Sequence, residues 1–418
     1  MITAPRGMSD ILPQESWRWR WLENQFVAIC HLFGYRELRL PLIEHTELFQ
    51  RGVGEATDIV RKEMYTFPDR SDRSLTLRPE ITAGVVRAFV QHKLYNSEVM
   101  PLKLFTYGSL FRYERPQSGR YRQFNQFDIE VFGSSLPQTD AEIIAVGMAF
   151  FQQIGLTDTE VELNTIGCNV CRPQHRQALM AFLQERLPHL CSDCHSRFEL
   201  NPLRVFDCKN DNCQQALTGI PLMQDYLCQE CQDHFAGVKL YLDYHGISYT
   251  LNNRLVRGLD YYNRTVFEFF DPQTRAEQGA LGGGGRYDPL VAVIGGPEVP
   301  GAGFGLGVER ILTAISAPKL PEPTCDLFFS TVGKNAEYHA IALMRALRQE
   351  GISCEMDLSD RGLRSHMRRA DRLQVPLVAI LGDNELTEKV VILRNMQTKE
   401  QITVAWEDLA AQVLRWLR

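Results

Sequence analysis

The sequence predicts a mixed α/β fold, with a hairpin of two strands and several helices followed by a smaller α/β unit. Three observations support this prediction. Segments 110–114 and 123–133 alternate polar and apolar residues with a period of two, which is typical of paired strands. A cysteine-rich block interrupts the middle of the chain. Beyond a proline-containing linker at 316–324, strand and helix patterns alternate.

Length and composition favour a globular protein with two or three domains. The chain has 418 residues, too many for one ordinary core, of which 44% are hydrophobic and 23% charged. A net charge of −6 gives no general basic surface, so nucleic-acid contacts must come from local patches. The first ten residues lack a leader pattern and no apolar run reaches ~18 residues, so we expect a cytoplasmic protein without membrane contact.

The N-terminal part predicts a helix, an edge strand and a second helix. Aromatic residues recur at near-helical spacing from about residue 15 to residue 32. Residues 34–44 alternate like a strand, and a proline among them suits an edge. Pro79 is able to start the second helix, which would place Glu80 and Thr82 in its first turn. A capping role there is as good an explanation of these two residues as ligand binding.

The two strands around residue 120 carry an unusual mixture of groups. Polar and aromatic residues share one predicted face: Arg112, Glu114, Phe124, Gln126, Asp128 and Glu130. The loop between the strands adds Arg115, Arg120 and Arg122. Guanidinium groups bind phosphates, a ring stacks on a base and a carboxylate accepts a cation. A nucleotide with an amino-bearing substrate is the simplest ligand set, and a solvated polar face is the alternative.

Eight cysteines form four pairs with zinc-ligand spacing: Cys168/Cys171, Cys191/Cys194, Cys208/Cys213 and Cys228/Cys231. They can complete two four-thiolate sites, which a reducing cytosol favours over disulfides. Grouping the second pair with the third closes the shorter loop and leaves the first pair with the fourth. Degenerate or empty thiol pairs are the alternative. A catalytic metal is not expected, because closed four-thiolate sites leave no open position.

Three further stretches complete the pattern. In 255–269, Arg257 precedes a glycine, and Tyr261 and Tyr262 precede an alternating strand. This places a cation and two phenols at one end of a sheet, although a turn with a packed tyrosine pair also fits. Glycine-rich segments follow at 282–288 and 301–312, and the second does not match the dinucleotide-binding fingerprint.

The C-terminal part predicts a small α/β domain. Strand and helix patterns alternate at 326–331, 335–349, 354–358, 363–373 and 377–381. Arginines form a local basic patch here: Arg361, Arg364, Arg368, Arg369 and Arg372.

These motifs resemble histidyl-tRNA synthetases, a family of class II aminoacyl-tRNA synthetases, over essentially the full length. The resemblance lies in 6–13, 34–44 (motif 1), 112–124 (motif 2), 257–262, 282–288 and 301–312 (motif 3). The chain departs from the family pattern at Met8, Ile81, Asn125 and Pro289.

The resemblance implies a histidine–tRNA ligase. Such an enzyme activates L-histidine with ATP and Mg²⁺ to histidyl-adenylate and transfers the histidyl group to the 3′ end of tRNA(His). The implied domains are a class II catalytic core at 1–320, built on an antiparallel sheet flanked by helices, and an anticodon-binding domain at 324–418. A cysteine-rich, mainly helical insertion at 168–245 interrupts the core and is implied to lie over the tRNA acceptor arm. Motif 1 implies a homodimer.

The resemblance also assigns residues to roles. The implied catalytic residues are Arg112, Arg257 and Arg310. The implied histidine-binding residues are Glu80, Thr82, Gln126, Glu130, Tyr261 and Tyr262. The implied ATP-binding residues are Arg112, Glu114, Arg120, Phe124 and Arg310.

Two other functions compete with this hypothesis. A regulatory subunit that assists ATP phosphoribosyltransferase would share the core but lack the anticodon-binding domain and the 257–262 motif, and both patterns are present. A non-catalytic RNA-binding module would be expected to lose Arg112, Glu130 or Arg310, and all three are present.

Overall fold

The computed structural model describes residues 1–55, 57–116, 119–315, 325–358 and 362–417. The chain divides into two compact units, residues 1–318 and 319–418. The linker predicted at 316–324 and Arg361 of the predicted basic patch lie outside the described residues. In the part of the chain that is described, no helix is both long and apolar enough to cross a membrane.

An eight-stranded sheet forms the centre of the first unit, and a three-stranded sheet accompanies it. The strands are β1 (Arg36–Glu37), β2 (Ile43–His45), β3 (Tyr65–Pro68), β4 (Ser74–Leu77), β5 (Leu102–Phe111), β6 (Gln123–Phe132), β7 (Glu160–Thr165), β8 (Thr250–Leu251), β9 (Asn263–Phe270), β10 (Gly282–Arg286) and β11 (Gly301–Gly307). The large sheet has the order β1-β5-β6-β11-β10-β9-β7-β8. Its pairs from β5 to β7 are antiparallel, and its two end pairs are parallel. The predicted antiparallel sheet is confirmed.

Helices flank this sheet and build the insertion. They are α1 (Pro13–Leu32), α2 (Thr46–Val53), α3 (Thr82–Gln91), α4 (Pro137–Gln153), α5 (Arg172–Gln184), α6 (Ser192–Leu200), α7 (Asp211–Ala216), α8 (Gln229–Tyr244), α9 (Arg275–Gln278), α10 (Leu290–Val293) and α11 (Val308–Ala314). The cysteine-rich insertion is mainly helical, from α5 to α8. Its last helix, α8, packs on α4 of the core.

The alternation of β6 divides the large sheet into a core face and a site face. Phe127 stacks on Phe26 of α1 with 4.5 Å between ring centroids, and Ile129 and Val131 join the same buried cluster. Since neighbouring residues of a strand point to opposite faces, the polar residues between them must point away from this cluster.

Two predicted strands end differently in the structure. β5 stops at Phe111, so Arg112 and Glu114 lie in the loop beyond it and not on a strand face. The segment 34–44 contains two short strands, β1 at an edge of the large sheet and β2 in the small sheet. The prediction of one strand was wrong here. Pro41, which lacks a backbone N–H donor, lies between the two strands.

The second unit is a mixed α/β domain, as predicted. Its elements are β12 (Leu327–Thr331), α12 (Lys334–Gln349), β13 (Cys354–Met356), α13 (Leu363–Arg372), β14 (Leu377–Leu381), α14 (Asp383–Glu388), β15 (Val390–Asn395), β16 (Gln401–Ala405) and α15 (Leu409–Leu417). The sheet order is β13-β12-β14-β15-β16. The pairs among β13, β12 and β14 are parallel, and the pairs β14–β15 and β15–β16 are antiparallel.

A buried ion pair joins β10 to the first turn of α4. Arg286 is fully buried, pairs with Asp140 and donates from Nη1 to Ser134 O at 2.8 Å. Burial alone would raise the pKa of Asp140, but Arg286 and His234 outweigh it and lower the pKa to about 2. Because this pKa is depressed, the carboxylate stabilises the fold above about pH 4 and loses that effect as the pH falls towards 2.

We expect Arg286→Ala to lower the free energy of unfolding by about 3–5 kcal/mol, because it leaves Asp140 charged and buried without its main partner. Urea unfolding at pH 7 measures this difference. Arg20→Ala, which removes a surface pair with Glu23 on α1, is the control and should cost less than about 1 kcal/mol. An equal effect of the two substitutions would contradict the importance of the buried pair.

Candidate active site and thiolate clusters

A cleft of about 770 Å³ lies against β6, β9, β10 and β11 in the first unit. Besides Cys208, seven predicted site residues line it: Arg112, Glu114, Arg120, Phe124, Gln126, Arg257 and Arg310. The remaining predicted site residues outside the cysteine clusters are Glu80, Thr82, Glu130, Tyr261 and Tyr262, and all five are buried. Their contacts, described below, connect them to the cleft.

One end of the cleft combines an aromatic ring with charged groups. The guanidinium carbon of Arg112 lies 5.3 Å from the ring centroid of Phe124. Arg112 Nε donates to Pro79 O at 2.8 Å, which fixes the side chain beyond the end of β5. Arg120 Nη1 lies 3.3 Å from Glu114 Oε2. This arrangement is suited to a planar base with phosphates attached.

Two more arginines reach the cleft from other elements. Arg310 in the first turn of α11 donates from Nε to Gly119 O at 3.1 Å and from Nη1 to Ala280 O at 2.6 Å. Arg257 pairs with Glu268 on β9. Burial acts to lower the pKa of Arg257, but Glu268, Tyr262 and Tyr261 together outweigh burial and the pKa is raised. Arg257 therefore stays cationic although it is largely buried.

Three carboxyl groups are buried beside the cleft: Glu80, Asp128 and Glu130. Burial raises the pKa of each, and that of Glu130 to about 8. Tyr287 donates its hydroxyl to Glu130, and Tyr261 donates to Glu80 Oε2 at 3.4 Å. Among the described residues, Asp128 Oδ2 and Glu130 Oε1 are buried without a hydrogen-bond partner. Such groups favour a ligand that brings positive charge or N–H donors.

Glycines of β10 and β11 make room for these side chains. A Cβ on Gly303 would lie 1.9 Å from Glu130 Oε2, and one on Gly305 would lie 2.8 Å from Asp128 Oδ1. A Cβ on Gly283 would lie 2.8 Å from Arg257 Nη1. The segment 282–286 forms a strand, and its four glycines, which have no side chains, leave the site face open.

The capping interpretation of Glu80 and Thr82 is partly wrong. Helix α3 begins at Thr82, so Pro79 does not start it and Glu80 precedes its first turn. Glu80 Oε1 still accepts a hydrogen bond from Ala83 N at 2.7 Å, which is a capping contact. The side chain of Thr82 acts to lower the pKa of Glu130. Thr82 therefore adjoins the buried carboxyl groups.

Three side chains beside the cleft had no predicted role: Asp128, Glu268 and Tyr287. Asp128 was placed on the polar face of its strand, but its pattern did not distinguish it from a solvated residue. Glu268 is the one carboxylate among the apolar residues of β9, and this was the available signal. Tyr287 belongs to the glycine-rich 282–288 motif, but only the fold brings it to Glu130.

Three of the departures from the family pattern have structural explanations. Asn125 points away from the three buried carboxyl groups described above. Its Nδ2 donates to Glu309 Oε1 at 3.0 Å, and its Oδ1 accepts from Ser109 at 2.9 Å. Ile81 is buried in an apolar cluster. Pro289 directly precedes α10, where its fixed φ of −73° is tolerated.

The eight paired cysteines form two clusters, in the grouping that loop closure favoured. The outer cluster contains Cys168, Cys171, Cys228 and Cys231, and the inner cluster contains Cys191, Cys194, Cys208 and Cys213. Within each cluster all sulfur atoms lie within 4.8 Å of one another, and all eight cysteines are free thiols.

The cluster geometry fits a tetrahedral metal site. Cys168 Sγ lies 3.8 Å from Cys228 Sγ, and Cys191 Sγ lies 3.8 Å from Cys208 Sγ. Four sulfurs at about 2.3 Å from a zinc ion are separated by about 3.8 Å. Backbone N–H groups also donate to the sulfurs, for example Cys228 N to Cys171 Sγ at 3.1 Å, as is common for thiolate ligands.

Comparisons with known proteins agree with the geometry. A family model described as Histidyl-tRNA synthetase matches residues 7–311, and one described as Anticodon binding domain matches residues 326–416. The histidine–tRNA ligase of Desulforamulus reducens is 48% identical over 98% of each chain. That of Moorella thermoacetica is 49% identical over 96% of this chain and 95% of its own.

The solved structures give the same result. The apo histidyl-tRNA synthetase of S. aureus superposes with a TM-score of 0.84 at 37% identity, covering 99% of this chain and 100% of that one. A Bacillus halodurans protein described as an ATP phosphoribosyltransferase regulatory subunit/histidyl-tRNA synthetase is 20% identical with a TM-score of 0.67, which shows a shared fold alone. The predicted activity of a histidine–tRNA ligase is confirmed, and the chain belongs to the histidyl-tRNA synthetase family.

Proposed function

We propose that the cleft binds L-histidine and ATP, joins them to histidyl-adenylate, and releases diphosphate before the histidyl group passes to the 3′ end of tRNA(His). The main observation behind this proposal is that three buried carboxyl groups lie beside four arginines and an aromatic ring along one face of the sheet. The carboxyl groups suit a substrate rich in N–H donors, and the arginines suit a triphosphate.

Histidine is held by the groups around the buried carboxyls. Glu80, Thr82 and Gln126 take the α-amino group, while Glu130 and Tyr262 take the two imidazole nitrogens. The ring of Tyr261 lies 4.6 Å from that of Tyr262 and forms the adjacent wall of the pocket. An apolar amino acid would leave Glu130 buried and unpaired, a penalty of a few kcal/mol, so histidine is selected without an editing site.

ATP lies along the arginine side of the cleft. Phe124 stacks on adenine, and Arg120 and Glu114 flank the nucleotide. Charge grows on the α-phosphate oxygens when the histidine carboxylate attacks, and Arg112 and Arg257 approach this position from different elements. Arg310 holds the leaving phosphates. Mg²⁺ supplies further charge neutralisation, and the carboxylate oxygens of Glu114 fit such a cation.

The remaining partners follow from the family. The second unit binds the anticodon of tRNA(His), with Arg364, Arg368, Arg369 and Arg372 of α13 as candidate phosphate contacts. The enzyme acts as a homodimer in the cytoplasm, and the cysteine-rich insertion adjoins the tRNA acceptor arm. The two thiolate clusters hold structural Zn²⁺, because four thiolates at this spacing are the donor set that zinc prefers.

Histidine-dependent exchange of labelled diphosphate into ATP, measured without tRNA, tests the proposed reaction. We expect exchange with histidine and none above background with the other amino acids, since only histidine pairs with Glu130. Exchange with several amino acids would contradict the proposed selectivity. Absence of exchange from folded protein that binds histidine would favour a regulatory role.

Arg257→Ala should lower the turnover of this exchange by about two to three orders of magnitude, because Arg257 acts on charge that develops in the transition state. Histidine binding, measured by calorimetry, should change little. Arg345→Ala, at an exposed position on α12, is the matched control and should behave as the unchanged protein. Unaltered turnover in Arg257→Ala would remove this residue from the mechanism.

Glu130→Gln should weaken histidine binding and remove its dependence on pH between 7 and 8. The pKa of Glu130 in the free protein is raised to about 8, so a proton must leave before the carboxylate accepts the imidazole N–H. Histidine affinity of the unchanged protein should rise about fivefold from pH 7 to pH 8, as the ionised fraction does. Calorimetry at both pH values measures it. A flat profile in the unchanged protein would refute the recognition role.

A further inference from the structure

We propose that the two thiolate clusters, when they hold metal, position the segment 254–262. This segment carries Arg257 into the cleft and Tyr262 next to it, with 5.7 Å between the Arg257 guanidinium carbon and the Tyr262 ring centroid. Metal loading of the insertion would then set the rate of histidine activation and not only the stability of the fold. This inference rests on the proposed function, because that function assigns Arg257 and Tyr262 to the reaction.

The outer cluster contacts the C-terminal end of the segment through one side chain. Arg172 directly follows the cluster residue Cys171 and begins α5. Its guanidinium donates to the carbonyl oxygen of Tyr262, and its Nε donates to Ile166 O at 3.1 Å. A four-thiolate zinc site carries a net charge of about −2, and the neighbouring guanidinium partly compensates it. Arg172 therefore couples the cluster to the backbone of a substrate-facing tyrosine.

The inner cluster contacts the middle of the segment. Asn201 and Arg204 lie between Cys194 and Cys208. Asn201 Nδ2 donates to Asp260 Oδ1 at 2.6 Å, and Arg204 Nη1 donates to Gly258 O at 3.3 Å. These contacts fix the backbone on the C-terminal side of Arg257.

The same cluster also contacts the start of the segment. Arg254 donates from Nη1 to Gln214 Oε1 at 2.8 Å and from Nη2 to Leu217 O at 3.2 Å. Gln214 directly follows the cluster residue Cys213. The segment is thus tied to the insertion on both sides of Arg257, within a few residues of a thiolate ligand each time.

Packing alone does not hold the segment on the side that faces the insertion. A cavity of about 450 Å³ separates it from the insertion and is lined by Val256, Leu259 and Tyr262 on the segment side. The polar contacts cross this cavity at its edges. Leu255, Tyr261 and Tyr262 anchor the segment in the core cluster on its other side. On the insertion side the polar contacts supply the connection, so the position of Arg257 there depends on how firmly their far ends are held.

The insertion holds those ends with a small apolar core, in which Leu179, Leu183 and Val205 pack against cysteines of the inner cluster, and with short helical elements. Between Cys191 and Leu217 it contains α6 of nine residues, α7 of six, and a 3₁₀ segment at Pro202–Asp207. Helices this short are marginal in isolation, and small units of this kind commonly need a metal or a disulfide. Four metal–thiolate bonds at each cluster would supply the required rigidity.

The test uses the full chain and two double variants. Cys208→Ser with Cys213→Ser removes two ligands of the inner cluster, and Asn201→Ala with Arg204→Gln removes its contacts to the segment while keeping all thiols. Glu199→Gln, at an exposed position on α6, is the control. Metal content by plasma mass spectrometry, kinetics of diphosphate exchange, and hydrogen–deuterium exchange of peptides covering 254–262 are the readouts.

We expect two zinc ions per chain in the unchanged protein and one in the cysteine variant. Both double variants should lose turnover by about tenfold or more, with a KM for histidine altered less than about threefold, because misplacement of Arg257 affects the transition state. Amide exchange in 254–262 should accelerate in both, while Glu199→Gln matches the unchanged protein. A merely structural cluster would not produce this split between turnover and KM.

Several results would overturn the inference. One is an active protein that contains no metal, and another is a cysteine variant with one ion, normal turnover and unchanged exchange in 254–262. If the cysteine variant does not fold, unchanged turnover in the Asn201→Ala, Arg204→Gln double variant would also overturn the inference. If the unchanged protein shows no histidine-dependent exchange, the proposed function fails, and the hydrogen–deuterium measurement still decides whether metal positions the segment.

Discussion

The burial of carboxyl groups on the site face of β6 is the constraint on which the rest of the active site depends. Asp128 and Glu130 lie on that face because Phe127 and Ile129 must pack against α1 and α4 on the other. Buried carboxylates are costly unless they find donors or cations. The chain supplies some, including the hydroxyl of Tyr287, and leaves others for the ligand. In the proposed function, the cost of these unsatisfied groups becomes selectivity for a nitrogen-rich substrate.

The same constraint explains the glycine-rich strands. With Glu130 against Gly303 and Asp128 against Gly305, no side chain at either of these two glycine positions could coexist with the carboxyl groups. Glycine weakens a strand because it packs nothing and loses much conformational freedom on folding. The loss is tolerated at the centre of a sheet, where β6 and β10 pair with β11 on both sides along its length. The glycine content of β11 therefore follows from the buried carboxyl groups that the proposed substrate recognition uses.

Much of the fold was predictable from local pattern, and the site less so. The N-terminal helix, the α/β arrangement of the second unit and the grouping of the cysteines follow from periodicity and spacing, which a single segment reveals. The position of Arg112 in a loop, the split of 34–44 and the partnership of Tyr287 with Glu130 do not. They are set by contacts between residues far apart in the chain, for which the sequence holds no local signal.

The pairing of Arg257 with Glu268 bears on how the cleft would bind ATP under the proposed function. A buried guanidinium without a carboxylate would be expensive, so Glu268 keeps Arg257 charged and directed before the nucleotide arrives. A phosphate of ATP must then compete with Glu268 for the guanidinium group of Arg257. This competition requires that Arg257 move little and in one direction. That requirement favours a firmly held backbone over a flexible one, since reorganisation at the moment of reaction would reduce the electrostatic gain. The contacts that tie 254–262 to the thiolate clusters meet this requirement from outside the sheet, on the side of the segment where the cavity lies.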